Sequence, residues 1–227
     1  MDWYPLWNSL RIAAISTVLV FFLGIWAAQS IARLSPLVKG VLDVVLTLPL
    51  VLPPTVVGWL LLLLLGPRRP IGAWALTIFD TKLVMQWWSA VFATVVVAFP
   101  LLYRTARGAF ESFDPSLREA GQTLGLSNRA IFWRIQMPVC RQGILAGTVL
   151  AFARALGEYG ATSMLAGYTP GRTATISTTV YQLWRTGNDP LAGRWVLVNI
   201  ALSAVFLLTV NLLESRRRQT GKGGRRG

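Results

Sequence analysis

Residues 119–138 read EAGQTLGLSNRAIFWRIQMP, a polar segment set between two long apolar runs. Residues 83–103 upstream read LVMQWWSAVFATVVVAFPLLY, and residues 143–165 downstream read GILAGTVLAFARALGEYGATSML. At about 1.5 Å of rise per residue, a helix of either length crosses the ~30 Å hydrocarbon core of a bilayer. The segment between them carries its own helix signals. Asp114-Pro115 can start a helix, since Asp accepts from orphan amides and Pro suits the first helical position. Ser116 with Glu119 offers an alternative start as a capping box. Gly125 supplies a left-handed residue to end that helix. Ser127 can cap a second short helix, expected to stop before Pro138. The expectation is helix, glycine turn, helix, lying at a membrane surface. Ala120 and Gly121 would leave a smooth outer face, with the Glu119 carboxylate available to a basic partner. An ordinary amphipathic surface loop would show the same cap signals.

Composition extends this reading to the whole chain. Of 227 residues, 54% are hydrophobic and 14% charged, and mean hydropathy is +0.53. A soluble domain carries about 25% charged residues, so the chain belongs to the integral membrane class. Five runs are long enough to cross: 10–32, 41–65, 83–103, 143–165 and 196–213. A sixth, 173–185, is short and rich in Thr and Ser. It is expected to form a partial or re-entrant helix, tolerable where protein or water surrounds it; six full spans are the alternative. The fold class is therefore all-α, one transmembrane domain over 1–227, with a loop at 104–142 and a basic, disordered tail at 214–227. The N-terminus, MDWYPLWNSL, lacks a basic n-region and a cleavage pattern, so no signal peptide is expected.

Charge sets the orientation. With residue 119 in the cytoplasm, Arg33, Lys39, the six arginines from Arg104 to Arg141 and the six tail cations lie inside, fourteen in all. Seven lie outside, namely Arg11, Arg68, Arg69, Lys82, Arg172, Arg185 and Arg194; Arg154 falls within a run. That bias predicts an N-terminus outside and a cytoplasmic C-terminus. Trp3, Tyr4, Trp7, Trp87, Trp88 and Trp195 would then sit at the outer interface, where amphipathic rings are favoured.

The runs themselves carry chemistry. Pro49, Pro53, Pro54 and Gly58 must interrupt the second helix, either beside a translocation path or as a packing kink. Pro100 reads as such a kink. Arg154 and Glu158, four apart inside the fourth run, should pair or face a polar interior. They either serve a polar interior path or hold helix packing. Gly157, Gly160 and Ala161 make a small-residue strip suited to close helix contact, such as one across a dimer axis.

Several classes are excluded. One cysteine, Cys140, rules out internal disulfides and a Cys-based metal cage, and histidine is absent. No metal or cofactor is expected, and no nucleophile–base constellation for an enzyme is visible. Fewer than forty residues separate the runs flanking residue 119, too few for a DNA-reading helical core. No Walker sequence occurs, and Pro170-Gly171-Arg172-Thr173 lacks the Gly-Lys-Ser/Thr ending of a phosphate loop. Any ATP-driven work would have to be powered by another polypeptide.

The segment at 119–138 resembles the EAA loop of ABC-transporter permeases, carried by Glu119, Ala120, Gly125, Ile135 and Pro138 at the family's spacing. Gly121 replaces the third small residue and Met137 the leucine. LPLVLPPTVVGWLLLLLLG, AFARALGEYGAT and PGRTATISTTVYQL extend the likeness to molybdate-transporter permeases. Sulfate and thiosulfate permeases are the runner-up, and a stand-alone anion channel a further alternative. The resemblance implies a non-catalytic type I importer permease, a homodimer in the cell membrane. It implies two cytoplasmic ATPase subunits docked on the loop through Glu119, Ala120, Gly121, Gly125, Ile135 and Pro138. It also implies an external binding protein delivering molybdate or tungstate, which Pro170–Thr173 would face.

Overall fold

Prolines punctuate the fold. In the computed structural model, which describes residues 2–32 and 34–223 and side chains as far as Leu212, a proline stands in the first two positions of seven helices. The missing N–H is harmless there, and the fixed φ is already helical. The helices are α1 (Tyr4–Ile31), α2 (Pro36–Val51), α3 (Pro54–Leu65), α4 (Pro70–Phe79), α5 (Trp87–Glu111), α6 (Pro115–Thr123), α7 (Asn128–Ile131), α8 (Met137–Leu156), α9 (Gly160–Leu165), α10 (Ile176–Arg185) and α11 (Asp189–Gly223). A π-helical turn, Phe132–Gln136, joins α7 to α8. Met1, Arg33, residues 224–227 and the side chains of 213–223 lie outside this description, so the expectation of a disordered tail at 214–227 falls largely outside it.

Four stretches among the described residues are long and apolar enough to cross a membrane: Tyr4–Ile31, Trp87–Glu111, Asn128–Leu156 and Asp189–Leu212. A fifth is the pair α2–α3, bent by 116°. The bend follows from the sequence Leu52-Pro53-Pro54. A residue before proline is pushed out of the helical region, and both Leu52 (ψ 141°) and Pro53 (ψ 135°) are extended. Pro49 remains inside α2, and Pro100 inside α5. The expected all-α architecture of five apolar segments and a short partial helix, α10, is what forms.

The fourth span differs from its expected bounds. It ends at Leu156 rather than 165, and residues 157–159 separate α8 from α9. It also starts earlier, because the helix does not stop before Pro138. A widened π turn precedes that proline, in place of an α-helical bond its missing N–H cannot make.

The chain forms two compact units, Met1–Thr175 and Ile176–Gly227. In the first, α1 and α5 run parallel: Ser16 Oγ donates to the Val91 carbonyl at 3.4 Å, and Gly24 faces Leu102. Helix α8 runs antiparallel to α5, with Cys140 near Ala109 and Gly147 near Leu102 and Thr105. A Cβ at Gly147 would stand 1.9 Å from Thr105 Oγ1, so only glycine lets these backbones approach so closely. Ile25, Ala28, Tyr103, Phe110, Phe132 and Ile144 close one end of this three-helix core. In the second unit α10 and α11 make a hairpin, turned at Gly187 (φ 77°).

Candidate functional site

Two groups of predicted residues lie at opposite ends of α8. The first is built on α6, α7 and the π turn. Asp114 accepts the Ser116 N–H at 2.9 Å, which starts α6 and holds the carboxyl below its ordinary range. At the other end the Leu126 N–H donates to the Gly121 carbonyl at 3.0 Å and the Gly125 N–H to Gln122 at 2.9 Å. That pairing is a Schellman stop, and it requires the left-handed φ of 76° at Gly125. Ser127 Oγ accepts the Ala130 N–H at 3.3 Å and starts α7.

The turn brings α6 down onto the π turn. Gly121 is buried there, and a Cβ would sit 3.1 Å from both Ile131 Cγ1 and Ile135 Cδ1. Its small size therefore serves internal packing rather than a smooth outer face. Glu119 and Ala120 are exposed, Ile135 is half-buried against Gly121, and Pro138 is exposed in the first turn of α8. Leu124 is 80% exposed at the tip, an apolar side chain with nothing of this unit over it. The Arg118 guanidinium donates to Gln136 Oε1 at 3.3 Å, tying α6 to the turn. The arrangement is a rigid two-helix projection presenting a carboxylate and a leucine.

The second group forms where two broken helices meet. Gly160 opens α9, and a Cβ there would lie 2.9 Å from Pro54 Cβ and 3.0 Å from the Thr55 nitrogen. A Cβ on Gly58 would stand 2.8 Å from both Ala161 Cα and Met164 Cβ. The break at Leu52–Pro53 and the break at 157–159 are thus packed against each other. The small residues of α9 meet α3 of the same chain; Gly157 has no comparable contact.

Glu158 sits in that junction with its side chain 2% exposed. Its Oε1 accepts the Ala161 N–H at 2.8 Å, and its Oε2 lies 2.6 Å from Arg154 Nη1. The expected pair forms, but not along one helix face, because α8 ends between its members. Glu158 instead closes one helix electrostatically while capping the next. Thr94, on α5, has a buried hydroxyl without a hydrogen-bond partner.

One polar network was not anticipated. Asp43, on α2, receives both the Tyr103 hydroxyl and the Arg107 guanidinium. Glu111 Oε1 accepts from Arg107 Nε at 2.9 Å and from Lys39 Nζ at 2.7 Å. The network pins the start of α2 to the end of α5, immediately before the α6–α7 projection. Two signals pointed to it: Asp43 is the one charge in the run 41–65, and Arg107 and Glu111 are four apart.

At the opposite end of the first unit, α1 holds the loop at 167–175. The Tyr4 hydroxyl donates to the Arg172 carbonyl, and Asn8 Nδ2 donates to Thr173 and Ala174 at 3.2 and 2.9 Å. Arg11, on α1, lies 3.8 Å over the ring of Trp87, which opens α5.

Residues 20–219 match the family described as "Binding-protein-dependent transport system inner membrane component". The Escherichia coli K12 molybdenum transport system permease protein ModB is 40% identical over 208 residues, 91% of each chain. The Haemophilus influenzae ModB is 38% identical over 217 residues, 95% of each. A sulfate transport system permease, CysW of Synechocystis, is more distant, at 32% identity over 90% of this chain and 74% of its own. In fold, the chain resembles the MetNI methionine ABC transporter with a TM-score of 0.70 over 92% of each chain at 13% identity. With its five apolar segments and an importer-permease fold, the chain is a multi-pass membrane protein of the binding-protein-dependent transport system inner membrane component family.

Proposed function

We propose that this chain is the pore-forming subunit of an ATP-driven importer for molybdate or the like-shaped tungstate. The observation that carries the reading is the α6–α7 projection, rigid within and exposed at Glu119, Ala120 and Leu124, in a chain so similar to molybdenum permeases. The projection would seat in a groove of a separate ATP-hydrolysing subunit, one on each copy of a homodimer. Closure of the two ATPases would draw the projections together. Because α6 rides on the π turn that begins α8, that movement would reach the packed breaks at Pro53-Pro54 and 157–159. A ligand-driven switch needs such a differential contact.

Sidedness supports the cytoplasmic assignment of the projection. It shares its end of the first unit with Lys39 and Arg107, while Trp3, Trp7 and Trp87 mark the other. A cation-rich end inside and an aromatic end outside is the usual bias. The Pro170–Thr173 loop would then face outward, toward an anion-delivering protein. Sulfate import is less favoured because the sulfate permease is the more distant relative.

The test is reconstitution in proteoliposomes with the ATPase and binding proteins. ATP-dependent molybdate uptake is expected, and Glu119→Lys or Gly125→Asp should abolish it together with co-purification of the ATPase, leaving insertion normal. Unchanged co-purification would remove the docking assignment. Flux persisting without the ATPase would favour a channel, and preferential sulfate uptake would favour the sulfate reading.

A further inference from the structure

Helix α4 has no role in the function proposed above. Its ten residues span about 15 Å, half of what is needed to cross the hydrocarbon core. It lies in the chain between two membrane segments, starting shortly after α3 ends and finishing shortly before α5 begins.

One face is fixed to the protein. Gly72 and Ala75 are buried, and a Cβ on Gly72 would lie 2.0 Å from the Gly66 carbonyl oxygen. The other face is uncovered. Ile71, Trp74 and Ile78, at i, i+3 and i+7, are 45, 58 and 57% exposed, and Phe79 is 63% exposed. The Trp74 and Phe79 rings meet edge to face at 5.9 Å, which makes one continuous apolar surface. Arg68 and Arg69 precede the helix and Lys82 follows it, all three exposed and without a salt-bridge partner among the described residues; Asp80 is the single acid.

We infer that α4 is an interfacial anchor, lying in the plane of the bilayer surface. Ile71, Trp74, Ile78 and Phe79 enter the boundary of the acyl chains, and Arg68, Arg69 and Lys82 engage anionic phospholipid headgroups. The length excludes crossing, and the stripe is apolar apart from one indole N–H, which suits an interface with one wet side. Cations at both ends match the negative potential of anionic lipid. Held through Gly72, the anchor would fix the depth of the α3 terminus, and with it the depth of the bent segment.

The full chain, in a Cys140→Ser background, is labelled with a nitroxide at Ile71→Cys, Ile78→Cys or Thr81→Cys and placed in nanodiscs of phosphatidylcholine with phosphatidylglycerol. Power-saturation EPR should give labels 71 and 78 a higher ratio of oxygen to nickel-chelate accessibility than label 81. High nickel-chelate access at 71 and 78 would overturn the anchor. So would shielding from both reagents, or dipolar broadening between labels, because protein would then cover the face. Replacing Arg68, Arg69 and Lys82 with Gln should lower the ratio at 78 in the anionic discs and not in pure phosphatidylcholine. An equal response in both would overturn the headgroup contacts.

Discussion

Glu158 Oε2 lies 2.6 Å from Arg154 Nη1 across the end of a helix, while Oε1 receives the N–H of Ala161 in the next. One carboxylate thus balances a charge and caps a backbone in the same junction. Removing Arg154 alone strands a buried charge, whereas neutralising both partners does not. Arg154→Ala should lower the melting temperature markedly, toward the lower end of the about 3–5 kcal/mol range for breaking a buried pair, since Arg154 is partly exposed. Arg154→Gln with Glu158→Gln should recover part of it. A double variant that folds well yet transports nothing would move Arg154 from packing to transport.

The contact between the two breaks makes opposite predictions for two glycines. Gly58→Val must push α3 from the Ala161 backbone and should destabilise by about 1–3 kcal/mol. Gly108, exposed within α5, has nothing within 4 Å of the point where a Cβ would stand. Gly108→Ala should stabilise by about 0.5–1 kcal/mol through lost backbone entropy in the unfolded chain. Thermal denaturation in detergent reads both, and equal effects would discount the close approach.

Asp43 should matter to the seating of α2 more than to insertion. Asp43→Ala leaves the buried Tyr103 hydroxyl without its acceptor and Arg107 with Glu111 alone. An orphaned buried hydroxyl costs about 1–3 kcal/mol. Asp43→Asn keeps an acceptor and should lose less. Hydrogen exchange at the start of α2 is the measurement, and equal protection in all three proteins would count against the tie.

The Asp114 cap carries a pH dependence of known sign. The Ser116 N–H lowers the folded-state pKa of the carboxyl. Its contribution is therefore present above the ordinary aspartate value of about 3.9 and lost as pH falls through the lower folded value. Protection of the first α6 amides, taken relative to the intrinsic exchange rate at the same pH, should fall on acidification below that range. In Asp114→Asn, which caps without titrating, that fall should disappear; if it persists, another group is responsible.

Much of the projection was legible in the sequence. Asp114-Pro115, Gly125 and Ser127 act within three or four residues of themselves, so local chemistry alone places both helix ends. Pro138 is harder to read for a related reason. Whether a proline stops a helix depends on what the preceding turn does, and here a π turn accommodates it, with Phe132 packed against Phe110. The Arg154–Glu158 spacing foretold the pair but not the helix end between its members.

Apolar run length, cation asymmetry and the Leu52-Pro53-Pro54 bend were thus determined by sequence alone, since each depends on transfer energy or on neighbouring dihedrals. Only the tertiary structure decided that Pro54 meets Gly160, that Gly121 faces inward and that Asp43 finds Tyr103 and Arg107. These partners are separated by between ten and about a hundred residues, and their contact depends on which helix faces pack. Packing is a property of surfaces brought together, and no single stretch of chain carries it.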